Sequence, residues 1–220
     1  MGQTQSASRS IFGSTSSNSL NSGSTTNKDE PTEEQIQQIL NILQTRLPTE
    51  VALNIIDLAE LWPKDTFASQ EKIHVHAGLS GDLKSRAVLL SPPLRPGATE
   101  TPVRRLIVTI TSRDQGFSSF LQFHGTRQNS SSWFELAIVR STKDPITGSE
   151  LNEIIERQQL IYNIHASTDF NTSQVVLNRG HPCVDSAMTG DRWAVFAMVQ
   201  YPMWSNLVNA CQLELQRAVV

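Results

Sequence analysis

From residue 64 onward the chain is written in short runs of alternating apolar and polar residues, separated by Gly, Pro, Asn, Asp and Ser. Alternation with a period of two is the mark of a strand with one buried face. Val103 to Thr111 shows it most clearly, setting Leu106, Val108 and Ile110 against Ile107, Thr109 and Thr111. Trp133 to Val139, Leu160 to His165, Gln174 to Leu177, Trp193 to Tyr201 and Leu207 to Leu215 read the same way. Many short strands without long helices between them predict a mostly β domain over residues 64–220, an antiparallel β-sandwich or jelly roll. Glu150 to Glu156 reads as a short helix or a structured loop.

A different pattern precedes the strands. Asp29, Glu30, Pro31 and a capping Thr32 stand before Ile36, Ile39, Leu40 and Leu43, which share one helix face. Leu47-Pro48 interrupts that face and opens a second helix, with Glu50 in its first turn and an apolar stripe of Val51, Ile55, Leu58 and Trp62. Residues 31–63 are therefore predicted to form a helical hairpin packed on the β domain, making the chain α+β as a whole. The opening Leu47-Pro48-Thr49-Glu50, followed by Ile55 and Leu58, also resembles the start of an F-box. That likeness implies a substrate receptor that recruits a Skp-type ubiquitin-ligase adaptor.

Residues 1–30 carry almost nothing to bury. Ser, Thr, Asn and Gly dominate from Ser6 to Asn27, a composition that predicts a disordered tether, with an end-to-end distance of roughly 25–30 Å over that stretch. Its start, Met1-Gly2-Gln3-Thr4-Gln5-Ser6, meets both demands of N-myristoyltransferase: a glycine exposed when Met1 is removed, and a hydroxyl residue at Ser6. One myristoyl chain holds a protein to a bilayer only marginally. The tail offers no cysteine for a second acyl chain, and Arg9 is its only base before Lys28. The expectation is reversible attachment to a cytoplasmic membrane face, with a protein partner supplying any lasting address.

Composition narrows the function classes. A formal charge of −3 disfavours a sequence-independent nucleic-acid partner, because phosphate contacts need clustered Lys and Arg. No apolar run approaches the ~20 residues that span a bilayer, and no secretory apolar core of ~7–15 residues occurs near the start. Cys183 and Cys211 are the only cysteines among 220 residues, the usage of a reducing compartment. The sequons at Asn129 and Asn171 then have no role.

Two groups of blocks carry a wider resemblance. The first is Ser112-Arg113-Asp114-Gln115-Gly116-Phe117-Ser118, then His124-Gly125 and Ser132-Trp133-Phe134-Glu135. The second is Gly190-Asp191-Arg192-Trp193, then Gln200-Tyr201-Pro202, Trp204-Ser205-Asn206 and Val208. With Leu47-Pro48 and Ala59-Glu60-Leu61-Trp62, they resemble a largely uncharacterised family of fungal proteins bearing Asp-Gln-Gly, Trp-Phe-Glu and Pro-x-Trp-x-Asn blocks. Arg113, Phe117 and Met203 stand where that family commonly has His, Trp and Gly. The resemblance implies a fold and a fungal source, not an activity.

Candidate chemistry is sparse. Asp114-Gln115-Gly116 follows a strand and suits a tight turn. As a ligand-facing loop it would bring Asp114, Gln115, His124 and Trp133 together, with hydrogen-bonding groups beside an aromatic face, as in a lectin-like module. Trp204, between Pro202 and Asn206, is placed at a surface pocket, while Trp193 is expected in the core. His74 and His76 have metal-ligand spacing on one strand face but no acidic or Cys partner nearby, so no metal is expected. His181-Pro182-Cys183-Val184-Asp185 contains the residue types of a cysteine nucleophile, packed too closely along one loop for the imidazole to approach the thiol. The expectation is a non-catalytic interaction module without cofactors.

Overall fold

The computed structural model describes residues 31–95, 102–143 and 150–219. Gly2, Ser6 and the tether lie outside them. Two helices open the chain, α1 (Glu33–Gln44) and α2 (Thr49–Leu58). Strands follow: β1 (Lys64–Ser69), β2 (Ile73–His76), β3 (Lys84–Leu90), β4 (Val103–Arg113), β5 (Ser132–Lys143), β6 (Glu150–Tyr162) and β7 (Asn171–Asn178). A single helical turn, α3 (Pro182–Asp185), precedes β8 (Arg192–Val199) and β9 (Ser205–Arg217).

One sheet runs β1-β9-β4-β7, with β2 also on β9, and the other runs β3-β8-β5-β6. Every strand pairing is antiparallel. Strands β1 and β2 bind consecutive stretches of β9, at Gln216 to Cys211 and Val208 to Ser205, and so act as one interrupted strand. Counted that way, the order in both sheets is that of a jelly roll. Between the sheets lie Leu106, Val108 and Ile110 of β4, Leu213 and Leu215 of β9, Phe134, Leu136 and Ile138 of β5, and Trp193 and Val195 of β8. The alternation of β4 thus does what its period requires.

Residues 150–156 are strand, not helix. Glu150 to Tyr162 pairs with β5 along its length at the edge of the second sheet, where half-exposed charged residues are tolerated. Pairing overrides the local preference of a Glu-rich stretch. The strand read through His165 ends at Tyr162, and His165 lies in the turn beyond it. Strands β1 and β3 carry few inward apolar residues, so alternation did not reveal them.

Helix α1 begins in a capping box: the Gln35 amide donates to Thr32 Oγ1 at 3.3 Å and the Thr32 amide to Gln35 Oε1 at 2.8 Å. Ile36 and Leu40 of α1, Ala52 and Ile56 of α2, and Val219 form a small core of their own. The hairpin sits where β4 begins and β9 ends. Ion pairs Glu33–Arg217, Asp57–Arg104 and Glu60–Arg105 join it there, and the Arg105 guanidinium stacks 5.0 Å over Trp62. The stripe read as the packing face of α2 turns outward: Val51, Ile55 and Leu58 are exposed, Leu58 at 86%. Trp62 is half-buried and donates Nε1 to Asp57 Oδ1 at 2.9 Å. Helix α2 is apolar on two faces, and its smaller one, Ala52 and Ile56, is the one that packs.

Candidate functional site

Strands β2, β4, β6 and β8 end, and β3, β5, β7 and β9 begin, at the end of the sandwich away from the hairpin. Register fixes this, pairing His76 with Ser205, Lys84 and Ser132 with Val199, Trp133 with Tyr162, and Ser112 with Asn171. Four connections therefore share this end: residues 77–83, 114–131, 163–170 and 200–204. All the candidate ligand residues lie in or beside them.

These loops are bonded to each other. The Tyr201 amide donates to Gly81 O at 3.0 Å, Met203 to Gly78 O at 3.1 Å, and Ala77 to Trp204 O at 3.1 Å. Gly81 has φ +69°, and a Cβ there would collide with the Pro202 ring, so glycine is required twice over. Across the other pair of loops, Gly125 donates to His165 O at 3.0 Å and His165 to Thr126 O at 2.7 Å. The Arg127 guanidinium binds Tyr162 O and Ser173 Oγ.

Beneath the loops is a buried polar cluster. Ser112 Oγ donates to Asn163 Oδ1 at 2.7 Å, and Asn163 Nδ2 donates to Ser132 Oγ at 2.9 Å and Asn206 Oδ1 at 3.0 Å. Asn206 Nδ2 donates to Trp133 O at 3.0 Å and Met198 O at 3.1 Å. Ser112 and Asn206 belong to one sheet, Ser132, Trp133 and Met198 to the other. Two asparagines thus tie the sheets together by hydrogen bonds at this end.

Asp114 is part of this scaffold and is not ligand-facing. It is fully buried, its Oδ1 accepting from the Gly116 amide at 2.8 Å and its Oδ2 from the Ala166 amide at 2.5 Å. Burial pushes its carboxyl above the ordinary 3.8, against the opposing pull of those amides and of His165. Gln115 is occupied as well, with Nε2 on Phe117 O at 2.7 Å and Oε1 accepting from the Ser205 amide at 3.4 Å. His124 is exposed, its Nε2 3.0 Å from Ser118 O. Trp204 lies half-buried against the core rather than at a surface pocket.

Trp133 does not join them. Its ring lies on the outer face of the second sheet beside Tyr162 at 6.0 Å, donating Nε1 to Glu135 Oε1 at 2.7 Å. Phe196 and Met198 occupy that face under the Arg157 guanidinium, which stacks 4.8 Å from the Phe196 ring and pairs with Glu135. Asp114, Gln115, His124 and Trp204 therefore share one end of the molecule, with Asp114 and Gln115 committed to the loops' own hydrogen bonds and Trp133 on another face.

His165 was not singled out by sequence, and it sits at the centre. It is fully buried, with Trp204 edge-on at 5.1 Å, His124 at 5.8 Å and Phe123 at 6.1 Å. Neither ring nitrogen has a hydrogen-bond partner among the described residues. The imidazole serves as a packing disc between loops. No local pattern announces it, because its ring neighbours come from two other connections, 114–131 and 200–204.

Neither cysteine is exposed. Cys183 is buried, its thiol pushed up to about 12 by burial and next by Glu156, and its Sγ donates to Leu136 O at 3.7 Å. His181 Nδ1 accepts the Cys183 amide at 3.2 Å, capping α3 instead of taking a thiol proton. Burial likewise pushes the Cys211 thiol up to about 12. His74 and His76 are exposed with rings 5.9 Å apart, and no group of three metal-ligating side chains occurs among the described residues. A depression of about 190 Å³ on the outer face of the first sheet is lined by Ile73, His74, Phe170, Leu207 and Asn209, among others.

No protein-family model and no curated protein matches the sequence. Similar solved structures share 7–10% identity with it. The CBM22-1–GH10 modules of Clostridium thermocellum xylanase 10B, complexed with xylohexaose, match over 72% of this chain and 26% of theirs, at TM-score 0.26. TmCBM61 in complex with β-1,4-galactotriose matches over 68% of each chain at 0.27. The infectious bursal disease virus Gx strain structure matches over 71% of this chain and 37% of its own, at 0.28.

Proposed function

We propose that the protein is a non-catalytic interaction module, held reversibly at a cytoplasmic membrane face by myristate on Gly2, which docks a protein partner on its helical hairpin. One observation carries the docking: Val51, Ile55 and Leu58, at helical spacing on one side of α2, remain exposed while the opposite side is sealed against the domain. Ile39 and Ile42 of α1 are exposed as well. Burying such a side chain releases about 1.5–3 kcal/mol, so three in a row form a surface suited to an apolar groove in a partner. Because the stripe opens directly after Leu47-Pro48, a Skp-type ubiquitin-ligase adaptor is a specific partner to try. A carbohydrate-binding reading, by contrast, has to leave Asp114 and Trp133 for Phe170, beside the depression with His74 and Asn209.

The double variant Ile55→Asp/Leu58→Asp tests the docking face. Both positions are exposed, so thermal unfolding is expected to stay within about 0.5 kcal/mol of wild type. Proximity labelling in cells should lose its strongest protein neighbours in the double variant, and binding of a purified Skp-type adaptor, where wild type shows it, should fall at least tenfold. An unchanged neighbour set overturns the docking face. An adaptor that fails to bind wild type removes the ubiquitin-ligase reading alone. In the same cells, Gly2→Ala should move protein from the membrane to the soluble fraction.

A further inference from the structure

We infer that the loop end of the sandwich is a second membrane contact, seating its apolar tips in the interfacial zone of a lipid bilayer. The inference deepens the proposed anchoring through Gly2 and rests on it for the choice of a membrane as partner.

Eight large apolar side chains stand exposed on the four loops at this end, among them Leu79 at 84%, Leu121 at 72%, Phe117 at 60%, Tyr201 at 58% and Met203 at 50%. Isolated exposed hydrophobes are ordinary, but this many on neighbouring loops at one end are not. Of these side chains only Phe170 lines the depression beside His74, and none lines a second, of about 270 Å³, under α2. Tyr201 and Met203 hold φ of +71° and +68°, a conformation that costs a bulky residue and that glycine adopts freely. The turn between β8 and β9 thus bears strain with apolar side chains pointing to solvent, which marks a functional position.

The loops are also braced for contact. Asp114, Asn163, Asn206 and His165 knit them from beneath, so little order has to be imposed on binding. Most cations at this end are already engaged, which leaves apolar insertion rather than attraction to anionic lipid as the main contact. Lys84 faces Asp82 at 4.0 Å, Arg86 binds Glu71 at 2.8 Å, Arg127 is taken up by Tyr162 O and Ser173, and Arg113 lies over the Phe170 ring at 5.3 Å.

Geometry lets both anchors reach one bilayer. The hairpin and Pro31 sit at the far end of the sandwich, about 35 Å away, the length of the 11-residue strand β4. The 30 residues before Pro31 have a maximum reach of roughly 100 Å, enough to bring Gly2 to the surface the tips touch. A single acyl chain needs a companion signal for stable residence, and the tips supply it. In this orientation α2 stays clear of the membrane.

Vesicle sedimentation with pure phosphatidylcholine tests the inference on the full-length protein in four forms. These are wild type and Phe117→Ser/Leu121→Ser/Met203→Ser, each produced with and without N-myristoyltransferase. The triple variant should lower vesicle partitioning at least tenfold in the acylated pair, with a parallel fall in the non-acylated pair, and about 0.5 M salt should change neither appreciably. Leu79→Ser, on a separate loop, should give a smaller fall and covers misfolding of the triple variant. Equal partitioning of folded wild type and tip variants in the acylated state overturns the inference, and tips that bind protein rather than lipid would give that result. Tip dependence without any gain from acylation would leave the inference standing and refute the Gly2 anchor. A gain from acylation without tip dependence would do the reverse.

Discussion

Asn206→Ala is expected to destabilise the fold by about 3–5 kcal/mol, a large fraction of the stability of a domain this size. The amide has no apolar substitute. Its Nδ2 satisfies two buried carbonyls, Trp133 O and Met198 O, and its Oδ1 accepts from Asn163. Removing it takes a hydrogen bond from each of two carbonyls that face each other across the β5–β8 ladder and leaves one donor of Asn163 unpaired. The unpaired buried donor costs about 1–3 kcal/mol and each lost bond about 0.5–1.5 kcal/mol, and all belong to one network, so the losses compound. Urea unfolding should show a lower midpoint at an unchanged slope. Asn206→Asp should be nearly as damaging, because a carboxylate cannot donate to the two carbonyls. A loss under about 1 kcal/mol for Asn206→Ala would mean that the sheets do not depend on this tie.

Asp114→Ala should cost about 2–4 kcal/mol by leaving the Gly116 and Ala166 amides without an acceptor inside the loop end. Asp114→Asn should cost less, because one carbonyl acceptor remains and a buried charge disappears. The pH dependence separates the two effects. Burial lifts the folded carboxyl above its ordinary 3.8, so the native state takes up its proton before the unfolded chain does. Stability from this group therefore rises as pH falls through the raised value toward 3.8, and the benefit is lost at neutral pH. Relative to Asp114→Asn, wild type should gain in that acid window. Parallel pH–stability curves for the two proteins would contradict the assignment.

What the sequence made legible follows the range of the interactions involved. The period-two pattern of β4 and the Thr32 cap of α1 depend on neighbours a few residues away, and both can be read directly. Asp114-Gln115-Gly116 likewise proves to be a side-chain-closed turn of the kind its composition suggests. Strand β6 was obscured because its Glu-rich edge owes its conformation to pairing with β5. Asn163 and Asn206 look like ordinary surface amides until the sheets bring them within 3.0 Å of each other, 43 positions apart in the chain. His165 is hidden for the same reason.

The hairpin shows a different limit. Val51, Ala52, Leu53, Ile55, Ile56 and Leu58 make α2 apolar on more than one side, and only the packing partner decides which side closes. The larger residues were the natural choice for the core. Shape selected Ala52 and Ile56 instead, leaving the bulkier stripe free. The loop tips were equally hard to recognise, because Phe117, Leu121 and Met203 gain meaning only once four connections are gathered at one end.

The two proposals together describe a two-ended arrangement, with lipid at the loops and protein at the hairpin. Hydrogen–deuterium exchange of the acylated full-length protein, with and without phosphatidylcholine vesicles, tests it most directly. The account predicts slower exchange on vesicles in residues 77–83, 114–131 and 200–204, with α1 and α2 unchanged. Protection of Thr49–Leu58 with those loops unchanged, or no protection anywhere in the sandwich, would contradict it.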